Sequence, residues 1–396
     1  MPKGFDLHPV RRFAGPCQPI KRPKEFTCFS YDDQHRLHLD DRSLKWYYPP
    51  LVLGTDLSNG FENFEKHDDS QDEHLDSLLE AIMKHEREMG KQIDAHVVTW
   101  RGMMTKFMAA PFEDRDGFEM NATLYRVISQ TVPSLTAIYT HEPRFVEENH
   151  AYKVASQAEQ NSQPWKGPIP QEVMQYWGYK LETLATLPNP WGETSRHYIE
   201  NRDNLVVNNK EQYCSVVRTG IGKTILCLGG EVDAIWDIKP TEPGKPINWV
   251  ELKTSADIRS DRDMDNFERK LMKFWIQSFL LGVPKIIVGF RSRDGRLMKL
   301  EEIDTVDIPD TVKRRGRAEW DGNVCINAAG AVLEWLRTVM NDDGVWRIRR
   351  KPRSPIIEVW QVEEAGHGKI LTDDFINHRI KLALSQTTAT ATATET

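Results

Sequence analysis

The chain has 396 residues, 39% of them hydrophobic and twelve of them Trp, enough for a sizeable core in one large domain or two ordinary ones. No apolar run approaches the ~20 residues of a membrane span, and the N-terminus MPKGFDLHPVRRF lacks the apolar centre of a signal peptide, so a soluble intracellular protein without a membrane partner is expected. The formal net charge of −7 argues against a protein that coats nucleic acid, because neutralising many phosphates takes a basic surface; a nucleic-acid substrate would be held over a few nucleotides, at an end or in a single strand.

Along the chain, 62–73 is acidic and polar and predicts an exposed loop. It leads into a helix with Leu75, Leu78, Leu79, Ile82 and Met83 at helical spacing, with Ser70 and Glu73 as a capping box or Asp68 or Asp72 as the cap. Strand-like runs follow over Ala95–Trp100, Phe118–Ser129 and Ser134–Thr140. Helical spacing returns over Gln171–Leu187, with Val173, Trp177, Leu181 and Leu184 on one face. The centre predicts strands over Gln212–Arg218, Thr224–Ile238 and Asn248–Thr254, then a long amphipathic helix over Arg262–Leu281. Strands Lys285–Phe290 and Leu297–Ile303, a helix near Ala328–Met340, and strands Val345–Arg349 and Ile356–Val362 complete the body. This mixture, without an internal repeat or a Pro/Gly/Ser-rich linker, predicts an α+β fold of mixed β-sheets flanked by helices, in a single domain over 1–385. The last residues, 386–396 (QTTATATATET), are of low complexity and predict a disordered tail.

Chemistry is concentrated in Glu231-Val-Asp233 and Glu251-Leu-Lys253, joined by a loop with Pro240, Pro243, Gly244 and Pro246. Side chains at i and i+2 of a strand share a face, so Glu231 pairs with Asp233 and Glu251 with Lys253, while Val232, Ala234, Trp236, Val250 and Leu252 face the core. If the two strands form a hairpin, three carboxylates and an ammonium converge. Crowded carboxylates resist ionising together, and a hard divalent cation, Mg²⁺ or Mn²⁺, relieves the conflict. Such an ion activates water and clamps a phosphate, with Lys253 orienting the water or balancing charge. The acid–acid-x-Lys layout is similar to that of the PD-(D/E)XK nuclease superfamily. Charged residues alternating with apolar ones also describe any half-exposed strand, and the surrounding sequence decides between the two.

That surrounding sequence contains, in order, TWRG (Thr99–Gly102), YWGYKLE (Tyr176–Glu182), GEVDAIWD (Gly230–Asp237), VELKTS (Val250–Ser255) and KFWIQSFLLG (Lys273–Gly282). Together these resemble the DXO family of RNA 5′-end decapping and pyrophosphohydrolase enzymes. SLKWYYPP (Ser43–Pro50) and GFRSRDG (Gly289–Gly295) are most similar to its fungal nuclear branch, whose members bind and activate the nuclear 5′-to-3′ exoribonuclease. The resemblance implies a PD-(D/E)XK-like core, a nuclear location, and hydrolysis of RNA 5′ ends bearing a triphosphate, an unmethylated cap or a nicotinamide cap. It implies Glu182, Asp233, Glu251 and the main-chain carbonyl of Leu252 as metal ligands, with Glu231 ligating directly or through water. It further implies that Lys253 and Gln277 position water and the scissile phosphate, and that Arg101 holds an RNA phosphate, beside Trp100 as a stacking surface. A protein that mainly stabilises the exonuclease, docking around Phe290–Glu302, is the alternative; a DNA endonuclease is disfavoured by the acidic balance.

Other signals carry less. Gly222-Lys223-Thr224 ends like a phosphate loop, but Val217 stands where the first glycine belongs and a strand follows. The five cysteines (17, 28, 214, 227, 325) never form a CxxC pair, which fits a reducing compartment and argues against a zinc site or disulfide framework; Cys214 and Cys227 are expected in the core. No HExxH spacing occurs among twelve His, and His141 and His197 are expected at the surface. The basic runs Lys313–Arg317 and Arg347–Arg353 suggest nuclear import or RNA contact, or simply a solvated face.

Overall fold

Two runs in this chain are apolar at every position rather than every second one, around 225–229 and 286–290. That pattern demands strands covered on both faces. The computed structural model, which describes residues 2–126, 142–165, 167–242, 244–317 and 319–394, with side chains up to Ser385, meets the demand with two mixed sheets flanked by helices. Among the described residues the larger sheet runs β1 (Lys3–Asp6), β16 (Ile356–Glu363), β15 (Val345–Arg350), β6 (Phe118–Leu124), β7 (Arg144–Glu148), β5 (Val97–Trp100), β10 (Thr224–Glu231), β9 (Gln212–Ile221), β2 (Ile20–Tyr31) and β3 (Leu37–His38). The smaller runs β14 (Leu297–Asp304), β13 (Lys285–Arg291), β12 (Trp249–Ala256), β11 (Ala234–Ile235), β4 (Trp46–Tyr47) and β8 (Thr186–Leu187). The helices are α1 (Asp76–Met89), α2 (Arg101–Ala109), α3 (His150–Ser162), α4 (Gln171–Ala185), α5 (Arg196–Glu200), α6 (Asp261–Leu281), α7 (Ile308–Arg315), α8 (Gly322–Val339) and α9 (Asp373–Thr394).

Side chains alternate between two cores. Leu226 and Leu228 of β10 join α2, α6 and α8, whereas Cys227 joins α1 and Phe375 of α9. Helix α6 contacts strands of both sheets and fills the space between them. Its Phe267, Leu271, Trp275, Ile276, Leu280 and Leu281 are buried, each stabilising by roughly 1.5–3 kcal/mol. Ser260 caps its start by accepting from Asp263 N at 3.2 Å, and Gly282, at φ 74°, ends it. On the far side of the smaller sheet, Ile287, Val250 and Leu252 pack with Ala185 at the end of α4.

Several expectations are corrected. The run 224–238 is not one strand: β10 ends at Glu231 in the larger sheet and β11 begins at Ala234 in the smaller one. The expected hairpin reduces to Ala234 opposite Val250 and Ile235 opposite Trp249. Trp236, past the end of β11, is 42% exposed and stacks on Tyr47 at 5.1 Å instead of entering the core. Helix α1 has no side-chain cap; Ser70 N donates to Asp68 and Glu73 turns to His35, so burial of Leu75, Leu78 and Leu79 sets where the helix starts. Strand β2 and helix α2 carry no pattern singled out in the sequence, and α8 begins earlier than expected, capped by Asp321. The backbone of α9, seated by Phe375, continues to Thr394 through the low-complexity segment, although its many threonines are poor helix formers. The strand expected over Ser134–Thr140, the end of Phe118–Ser129, and His141 lie outside the described residues.

Helix α9 is fastened to α1 by charge. Glu86 is fully buried, accepts from Ile93 N at 2.8 Å, and lies 3.0 Å from His378 Nε2 and 2.8 Å from Arg379 Nη2. Arg379 is itself 1% exposed. Glu86→Ala strands that guanidinium in the core and is expected to cost roughly 3–5 kcal/mol, measured by urea unfolding.

Candidate active site

The site forms where the chain leaves the larger sheet for the smaller one. At the end of β10, Gly229 and Gly230 allow a close approach: a Cβ on Gly229 would meet the Trp100 ring at 2.8 Å, and one on Gly230 would meet Arg101 and Leu281 at 3.0 Å. Any larger side chain would push Arg101 and the end of α6 away from Glu231. Val232 then turns into the core, and Asp233, one residue before β11, faces β12. Asp233 Oδ2 accepts a 2.6 Å hydrogen bond from Leu252 N. This bond ties the crossing to the neighbouring strand.

On β12 the strand period places Glu251 and Lys253 side by side, with Lys253 Nζ 2.6 Å from Glu251 Oε1. Arg101 Nη1, from the first residue of α2, donates to Glu251 Oε2 at 3.3 Å. Glu251 is fully buried between these two cations. Glu182 comes from the last turn of α4, whose buried Tyr176, Trp177, Leu181 and Leu184 fix which face it presents; it shares a recess with Glu231, Asp233, Lys45, Tyr179 and Asn209. Gln277 lies on α6 between buried Ile276 and Ser278, half-buried, its side chain without a hydrogen bond among the described residues.

The electrostatics follow from burial. Desolvation, then the charges of Asp233 and Glu231, push the Glu182 carboxyl well up. Desolvation also raises Glu231, against the pull of Arg101. Asp233 rises to about 7, first through desolvation and then through the Glu251 charge. Burial works against ionised Glu251 too, but Lys253 and Arg101 outweigh it and hold this carboxyl below its ordinary value. Lys253 is likewise raised despite burial, by Glu251 and Asp233. One carboxylate is therefore neutralised by protein cations and three are left in conflict. No three of the four bring one oxygen each within 4.8 Å of one another. The donor set, one buried and three half-buried carboxylates whose mutual repulsion a hard cation relieves, fits Mg²⁺ or Mn²⁺.

Arg101 is engaged with Glu251, and the half-buried Trp100 donates its indole N–H to His74 O at 3.0 Å and meets Phe29 edge-on. The two basic runs are largely absorbed internally: Arg315 pairs with Asp265 and Glu268, Arg317 with Asp261, Arg347 with Glu119 and Arg349 with Glu358. Lys45, 3.1 Å from Glu211, and Asn209 also line the recess; SLKWYYPP holds Lys45, but nothing local in the sequence marks either side chain.

Comparison with known proteins places this geometry. A family described as RAI1 like PD-(D/E)XK nuclease matches residues 21–376. The chain is 65% identical to the decapping nuclease RAI1 of Neurospora crassa, over 98% of this chain and 89% of that one. It is 53% identical to the decapping nuclease RAI1 of Aspergillus fumigatus, over 95% and 98%. Among solved structures, Candida albicans Rai1 in complex with pU5-Mn²⁺ superposes with TM-score 0.85 at 31% identity, covering 96% of this chain and all of that one. Scheffersomyces stipitis Rai1 in complex with (3′-NADP)⁺ and calcium ion gives 0.81 at 29% identity, over 92% and 97%. The chain belongs to the RAI1-like PD-(D/E)XK nuclease family.

Proposed function

We propose that this chain is a divalent-metal-dependent hydrolase of RNA 5′ ends. It removes pyrophosphate from a 5′ triphosphate and releases incomplete or non-canonical caps, the nicotinamide cap included, leaving a 5′ monophosphate. The observation that carries the reading is the set of half-buried Asp233 and buried Glu251 against Lys253 and Arg101, in a chain 65% identical to a decapping nuclease. The relatives' complexes with pU5-Mn²⁺ and with (3′-NADP)⁺ and calcium support this substrate class and a divalent ion, Mg²⁺ or Mn²⁺.

In this reading Glu182, Asp233, Glu251 and the Leu252 carbonyl hold the metal, with Glu231 ligating directly or through water. When bound, the metal supplies a more acidic water and a clamp on the phosphate oxygens. Lys253 stays protonated, since Glu251 and Asp233 stabilise its charge, so it orients water and offsets developing negative charge rather than acting as a base. Gln277, unbonded on α6, is free to hold the water or a phosphate oxygen. Arg101 exchanges part of its contact with Glu251 for an RNA phosphate. The product, a 5′ monophosphate end, suits a processive nuclear 5′-to-3′ exoribonuclease, which we take as the partner this chain activates in the nucleus.

A second reading, a protein that mainly stabilises that exonuclease, is favoured by one feature. Leu51, Val52 and Leu53 are 54–64% exposed on a loop hydrogen-bonded to Leu297, beside exposed Met298. Within the segment 290–302 Phe290 is fully buried, so a docking surface here would use Met298 and this loop. Leu51→Glu with Leu53→Glu is expected to abolish co-purification of the exonuclease while RNA hydrolysis continues; unchanged co-purification rejects the placement.

On 5′-labelled triphosphate or unmethylated-cap RNA, wild type with Mg²⁺ or Mn²⁺ is expected to release pyrophosphate or a capped nucleotide. Chelation and Asp233→Ala should each abolish release, and Lys253→Ala should slow it by about 100- to 1,000-fold. Activity persisting in purified Asp233→Ala sinks the site.

The raised Asp233 carboxyl also makes a stability prediction. In metal-free protein this group binds its proton more tightly folded than unfolded, so it contributes stability at low pH that is lost as pH climbs from 3.8 towards about 7. Asp233→Asn, which cannot ionise, should gain on the wild type over that window and keep a constant advantage above it, read by urea unfolding at stepped pH in chelator.

A further inference from the structure

Three potential metal ligands meet outside the candidate active site. His35 lies in the turn between β2 and β3, His67 in the segment before α1, and Glu73 three residues ahead of that helix. One ligand atom from each falls within 4.8 Å of the others, the only such trio among the described residues. Glu73 Oε1 is 3.0 Å from His35 Nε2 and 3.5 Å from His67 Nε2. A tetrahedral ion with ligand bonds of about 2.0–2.1 Å separates its ligands by about 3.3–3.4 Å, between those two values.

The rings are also set up for ligation. His35 Nδ1 lies 3.0 Å from the Lys210 carbonyl, which only accepts, so a hydrogen is on Nδ1 and Nε2 is the atom that faces Glu73. Without metal that Nε2 carries a proton shared with the carboxylate, and a metal ion would take the proton's place. Tyr31 stacks on His35 at 3.9 Å, and His35 meets His67 at 3.9 Å with the ring planes tilted by 32°, which holds both rings in place. The His67 backbone N–H donates to Asn209 Oδ1 at 2.7 Å, which anchors its loop.

We propose that His35, His67 and Glu73 form a structural site for a borderline divalent ion of the zinc class, with water completing its coordination. Glu73 is half exposed, which leaves room for that water. The ion clasps three segments that are distant in sequence. Two of its neighbours lead to the candidate active site: Asn209 lines the recess of Glu182 and Asp233, and His74, next to Glu73, receives the Trp100 indole bond just before Arg101. The nitrogen-rich set distinguishes it from the all-oxygen active site, which suits Mg²⁺ or Mn²⁺.

The full chain carrying Asp233→Asn, to weaken metal binding at the active site, is stripped with chelator and titrated with Zn²⁺ by calorimetry. Co²⁺ absorption serves as a second probe. One equivalent of zinc is expected, with a tetrahedral-type Co²⁺ spectrum and a thermal midpoint raised by several degrees. Adding His67→Gln should remove that equivalent or weaken it at least about tenfold, and should cancel the midpoint rise, while the midpoint in chelator stays that of the parent. Glu73→Gln should act in the same direction. No zinc binding by the stripped chain overturns the site, as does binding and stabilisation unchanged by both substitutions.

Discussion

The 2.6 Å hydrogen bond from Leu252 N to Asp233 holds together what the rest of the molecule arranges. It joins the residue at which the chain passes between two sheets to the strand carrying Glu251 and Lys253. Without it, a carboxyl raised by burial and by Glu251 would have every electrostatic reason to turn away. The backbone N–H offers a donor that cannot move off, because β12 is locked between β11 and β13. The protein holds Asp233 close to repelling neighbours by anchoring it to backbone rather than by pairing it with a cation. Only Glu251 is neutralised by protein cations, and the rest of the negative charge remains for a ligand to satisfy.

The surrounding packing serves that arrangement. Gly229 and Gly230 bring β10 against Trp100 and Arg101 because no side chain intervenes. Burial of one face of α4 aims Glu182 at the crossing, and α6, filling the gap between the sheets, carries Gln277 alongside. The apolar cores set where the elements lie, and the elements set where the charges lie.

How much of this the sequence discloses depends on the range of the interaction. Glu251 and Lys253 are legible as neighbours because two residues along a strand return a side chain to the same face, and they sit 2.6 Å apart. The α4 stripe and the α6 stripe are legible for the same reason at helical period. The break between Glu231 and Asp233 was not legible: it arises because β10 pairs with β5, over a hundred residues earlier, while β11 pairs with β4 and β12. Trp236 departs from its expected core face for the same cause, since the change of sheet ends the strand that would have carried it inward. Lys45, Asn209 and the His35–His67–Glu73 trio belong to turns and loops, where no period exists and proximity is decided by tertiary closure alone. Ordered motifs recovered the family where local physics recovered only pairs.

The change of sheet at Val232 and Asp233 has a mechanical corollary. Glu231 rides on one sheet and Glu251 on the other, with Asp233 in the two-residue span between. A small rotation of either sheet about that span would therefore alter the carboxylate spacing. Helix α6, wedged between the sheets, acts as the shim that sets the angle. A methyl group added to or taken from its buried face, at Ile276 or Leu280 for instance, alters the gauge of the site without touching a charged atom. Tolerance for change in that wedge is then governed by the carboxylate spacing it sets, not only by the volume the core will hold.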